Sequence, residues 1–179
     1  IVPPDGIIGK TFSSLAMRAQ IEYQKHDETH ALTDASAALK LNPKLGFLYL
    51  LRANVYRRQG DDAAGIQEAD AAMAALPDDV ETLVAAGKIY AAFNRHADAM
   101  AAFDKALKLT PEAYVYLNRS EARDRDDIAG RQADIDAALK LKPDLAEAWY
   151  DQAGLDEWQK RWPAMLASMN KAIALKPEP

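Results

Sequence analysis

The chain has 179 residues, 49% of them apolar and 27% charged, with a formal net charge of −5. It contains no cysteine, which excludes disulfides, thiol catalysis and thiolate metal sites. The acidic balance, without a continuous Lys/Arg stripe, gives no electrostatic basis for a phosphate-backbone partner, and no apolar run is long enough to span a bilayer.

Alanine is abundant and β-branched residues are scattered rather than alternating, so helices are expected and strands are not. The chain starts at Ile1 rather than Met, which reads as a processed protein or an excised domain. Residues 1–11 hold two prolines, two glycines and four aliphatic side chains and read as a linker or N-terminal arm that packs somewhere. From residue 12 a closing phrase returns five times, as Ala38-Leu-Lys-Leu-Asn-Pro43, Ala72-Met-Ala-Ala-Leu-Pro77, Ala106-Leu-Lys-Leu-Thr-Pro111, Ala138-Leu-Lys-Leu-Lys-Pro143 and Ala172-Ile-Ala-Leu-Lys-Pro177. The prolines stand 34, 34, 32 and 34 residues apart, and a fixed period of this length marks a repeat array. Each interval reads helix, turn, helix, giving repeats at about 12–45, 46–79, 80–112, 113–145 and 146–179. One continuous array is expected.

In the first repeat, His26 and His30 have the spacing of two zinc ligands on one helix, but Lys25-His26-Asp27 falls in register with the helix-breaking Gln59-Gly60-Asp61 of the second. They are read as a solvated turn, and no metal site is expected. In the second repeat Tyr49, Arg52, Ala53 and Tyr56 mark one helix face, while Phe47, Leu50, Leu51 and Asn54 form another stripe at the same spacing. A helix apolar on both faces needs a second cover. Gly65, Ala69 and Ala72 then let the second helix approach closely, and Pro77 ends it. The fourth repeat is two residues short. Its Asp124-Arg125-Asp126-Asp127 is read as a capping turn rather than a calcium loop, because Gly130 takes the seventh place and Ile135 the twelfth. Met73, Met100, Met165 and Met169 fall at packing positions of second helices. The last helix carries Met165, Leu166, Met169 and Ile173, some of which a sixth repeat would cover. Either self-association through residues 158–175, with Trp158 and Trp162 near the contact, or a capping helix elsewhere in the full protein is expected to shield them.

The chain resembles the tetratricopeptide repeats, whose pattern is W-x2-L-G-x2-Y, A-x3-F, an alanine, then P. Leu83, Ala86, Gly87, Tyr90, Ala99, Phe103, Ala106 and Pro111 match it closely in the third repeat. The fifth has Trp149, Ala153, Ala172 and Pro177, with Asp156 in place of the tyrosine. The fourth has Tyr116, Arg119, Ser120 and Ile135, with Arg131 where a small residue is usual, and the first puts Glu22 in the aromatic slot. The resemblance implies an all-α, right-handed helical-hairpin solenoid of about five such repeats.

It also implies a concave groove lined by the first helix of each pair, where Phe47, Leu50, Leu51, Asn54, Val84, Lys88, Tyr114, Leu117, Asn118 and Tyr150 are the candidate protein-binding residues. Glu81, Glu121, Glu147 and Asp151 would edge it. The carboxylate clamp by which some family members hold a chaperone tail is not expected, since Glu147 and Asp151 stand where two cations are needed. The expected function is a non-catalytic protein-protein interaction module that binds a peptide or protein segment. The alternative is a regulatory or substrate-docking domain of an enzyme whose catalytic part lies before Ile1. No cofactor is expected, and a soluble protein of the cytoplasm or periplasm fits the composition.

Overall fold

The computed structural model describes residues 11–176, so residues 1–10 of the expected arm and Pro177 lie outside the described residues. The chain divides into two compact units, Ile1–Arg95 and His96–Pro179, and the division falls inside the expected third repeat rather than at a repeat boundary. The first unit holds α1 (Phe12–Gln24), α2 (Glu28–Leu41), α3 (Gly46–Gln59), α4 (Asp62–Ala75) and α5 (Val80–Ala92). The second holds α6 (His96–Leu109), α7 (Ala113–Ala122), α8 (Ile128–Leu141), α9 (Ala146–Trp158) and α10 (Trp162–Leu175). No strand occurs among the described residues. Within the first unit α1 pairs with α2 and α3 with α4, while α2 packs on α3 and α4 on α5; within the second, α7 pairs with α8 and α9 with α10, while α6 packs on α7 and α8 on α9.

The turns show why the period breaks the helices where it does. His26 (φ 63°), Gly60 (φ 76°), Asn94 (φ 57°) and Lys160 (φ 58°) take the left-handed conformation at the same position of four repeats. The next residue's N–H then reaches back to a carbonyl of the last turn, as from Asp27 to Glu22 (2.9 Å), Asp61 to Tyr56 (2.9 Å), Arg95 to Tyr90 (2.8 Å) and Arg161 to Asp156 (2.8 Å). His26 therefore lies between two helices and His30 on α2, where its Nδ1 lies 2.7 Å from Asp27 Oδ2. The fourth repeat lacks this turn. Its missing residues come out of α7, which has 10 residues, and Asp127 accepts the Gly130 N–H (2.9 Å) to start α8.

Close packing sets the rest. A Cβ on Gly65 would stand 2.4 Å from Phe93 Cζ, so only glycine lets α4 meet that ring. Between paired helices, an arginine of the first helix meets an acid of the second at equivalent positions in three repeats: Arg18 with Asp34, Arg52 with Glu68 (2.6 Å), and Arg119 with Asp134. Ala86 and Ala102 hold these positions in the third repeat, and Gln152 and Ser168 in the fifth. There the buried Asp156, in the slot of the consensus tyrosine, accepts from Gln152 Nε2 (3.2 Å), Ser168 Oγ (3.2 Å) and Arg161 Nη2 (2.5 Å). A polar residue in the aromatic slot is tolerated because both carboxylate oxygens are satisfied.

The expected second stripe of α3 is corrected here. Leu51 is buried in the core of the first unit with Leu15, Ala19, Leu48 and Val55, Leu50 and Asn54 are half-buried, and of the four stripe residues only Phe47 (46% exposed) is exposed. The physical reason is that α1 and α5 also pack against α3, so its unit covers most of its circumference.

Candidate functional site

In the second unit three helices turn one stripe each toward a common cavity of about 760 Å³. Tyr114, Leu117, Asn118 and Glu121 line it from α7, and Glu147, Tyr150 and Asp151 from α9, while Met169, Ala172 and Ile173 from α10, followed by Lys176, close the other side. The spacings i, i+3, i+4 and i+7 put each set on one helix face. Leu117, Ala146 and Ala172 form a buried floor, and Tyr114 (37% exposed), Tyr150 (61%) and Ile173 (58%) stand up as walls. Asn118 Nδ2 donates to the Tyr114 carbonyl (2.6 Å), which fixes that side chain along its own helix.

The charge of this cavity is negative. Of its three carboxylates, Glu147 is paired with the Lys176 ammonium, which holds it below the usual carboxylate range. Asp151 behaves oppositely. Burial, reinforced by Glu121 and Glu147 and opposed by Arg131, pushes its carboxyl up to about 6. Its Oδ2 is out of solvent contact and accepts no hydrogen bond.

Of the ten candidate residues, the structure brings Tyr114, Leu117, Asn118 and Tyr150 together in this cavity. The other six belong to the first unit. Phe47 and Lys88 are exposed there, Leu50 and Asn54 half-buried, and Leu51 and Val84 buried at 7% each. Leu117 is likewise buried, as floor rather than as a projecting anchor. The reading by first helices missed the α10 wall. Met169 and Ile173 are the residues for which a covering repeat was expected, and with Lys176 they continue one stripe past the core-facing Ala172. That i, i+4, i+7 run was the available signal. Asp151, expected at the edge, is half-buried.

Among the described residues no three His, Asp or Glu side chains are grouped to hold a metal ion, and no helix is long and apolar enough to cross a membrane. No family model matches the chain, and no curated protein matches it. Solved structures do. A tetratricopeptide repeat protein from Parabacteroides merdae ATCC 43184 superposes with a TM-score of 0.76 at 17% identity, over 99% of this chain and 69% of that one. PilW, described as a widely conserved type IV pilus biogenesis factor, gives 0.75 at 22% identity, over 92% and 77%. YrrB, described as a TPR protein with an unusual peptide-binding site, gives 0.62 at 15% identity, over 94% and 88%. Paired helices at a 34-residue period, left-handed turns in register and these superpositions together show that the chain has the tetratricopeptide-repeat fold.

Proposed function

We propose that this chain is a protein-interaction module, without catalytic chemistry of its own in this segment, that grips a peptide or protein segment in the cavity between α7, α9 and α10. The observation that carries the reading is the cavity itself: two exposed tyrosines and an exposed isoleucine stand over a buried aliphatic floor, with charged groups at the margin. Aromatic and aliphatic anchors ringed by polar groups are the anatomy of a peptide-binding surface. The size agrees, since about 760 Å³ accommodates a few side chains and not a folded domain.

The test uses peptides selected on the whole chain from a random phage-displayed library. Tyr150→Ala should raise the Kd of a selected peptide by about tenfold or more with the melting temperature nearly unchanged, because that side chain is 61% exposed. Tyr114→Ala should weaken the peptide as well, with its melting temperature measured alongside because that ring is only 37% exposed. Chemical-shift changes on binding should map to α7, α9 and α10. Selected peptides that bind elsewhere, or losses of affinity that only follow losses of stability, would remove the proposal.

A further inference from the structure

We infer that the segment held in this cavity is basic, and that the ammonium or guanidinium of a Lys or Arg side chain docks between Asp151 and Glu121 under the faces of Tyr114 and Tyr150. The inference rests on the peptide-binding reading and specifies its partner.

Charge complementarity carries it. The cavity presents Glu121, Glu147 and Asp151 against a single lining cation, Lys176, which already pairs with Glu147. Two carboxylates are left over. Asp151 is half-buried with an oxygen that accepts no hydrogen bond, although buried polar atoms are otherwise paired in native structures. Arg131 on α8 attracts it through space, but no hydrogen bond or ion pair joins the two, and Arg131 Nε is likewise buried without a partner. An acid held up to about 6 is placed against its own stability, as binding groups are. A cation docked in the cavity would meet the part of the Asp151 carboxylate that lines it, compensate the charge whose Oδ2 is sealed from water, and relieve the repulsion from Glu121 and Glu147. The tyrosine rings add attraction for a cation over their faces, and the aliphatic floor takes the long side-chain stem. An acidic or carboxylate-terminated segment would meet repulsion at the same place.

Selection of short random peptides on the whole chain should enrich Lys or Arg beside an apolar residue. In a selected peptide, replacing that Lys by Gln should weaken binding by about tenfold or more, and the preference should vanish in Asp151→Asn and shrink in Glu121→Gln. The Lys peptide should also weaken as pH falls from about 7.5 to about 5, where Asp151 protonates among Glu121, Arg131, Glu147 and Lys176, while the Gln peptide should not. Circular dichroism of Asp151→Asn guards against misfolding, and Glu121→Gln on the exposed side of α7 tests the charge a second time. Selected peptides that bind this cavity with Gln as tightly as with Lys would overturn the inference and leave the peptide-binding reading standing. Failure to select any peptide would overturn both.

Discussion

Asp151 shows how a single side chain can be read for function through its electrostatics. Its carboxyl is raised from the ordinary value to about 6, with burial as the first cause. Between roughly pH 4 and 6 the folded chain therefore binds more protons at this group than the unfolded chain does. The stability it contributes is complete below the unfolded value and is lost as pH rises through 6. Asp151→Asn removes the titration, so the variant should melt higher than the parent at about pH 8 and lose that advantage near pH 4. Thermal unfolding at the two pH values checks this, and a difference independent of pH would contradict the assigned cause. The same substitution is expected to weaken a basic peptide, so stability and binding should move in opposite directions at one residue.

At the scale of the element, the arginine–acid pair gives each of the three hairpins that carry it its own polar lock. The pairs are equivalent in position but not in environment. Asp134 is 1% exposed and takes Arg119 Nε (3.1 Å) and Arg123 Nε (2.7 Å), and both arginine side chains are largely enclosed. Arg18, opposite Asp34, has a side chain 54% exposed. Removing an acid strands its partner only where water cannot replace it. Asp134→Ala should therefore cost about 3 kcal/mol in urea unfolding, whereas Asp34→Ala should cost clearly less. Equal losses would mean that burial of the arginine does not set the penalty. In the second hairpin, burial pushes the Glu68 carboxyl up while Arg52 pulls it down, so that pair is an intermediate case.

For the whole molecule, the exposed apolar residues bear on assembly. Trp158 (54% exposed), Trp162 (52%) and Leu166 (56%) lie on or beside α10, outside the cavity lining. The self-association expected from the sequence is checked by sedimentation at several concentrations, with Leu166→Lys expected to shift any dimer toward monomer. A single monomeric species throughout would remove that expectation. Met169 and Ile173 line the cavity, where the proposed peptide segment would cover them instead.

The hairpins, their turns and their period were legible in the sequence because they depend on local chemistry. Proline at the end of each second helix, residues at the turn and small residues at the helix contact act within one repeat or its neighbour. So Tyr114, Leu117, Asn118 and Tyr150 could be placed on one stripe of first helices, though not Leu117 as buried floor, and the turn at His26 could be set apart from a zinc helix. Three-dimensional packing decided the rest. Whether Leu51 faces core or solvent depends on helices on either side of α3, and whether Met169 is a core residue or a cavity wall depends on α7. The sequence shows Asp151 as an acid on a helix face. Only the tertiary structure withdraws one of its oxygens from water beside Glu121 and Glu147, because desolvation and repulsion are properties of the assembled neighbourhood rather than of the residue.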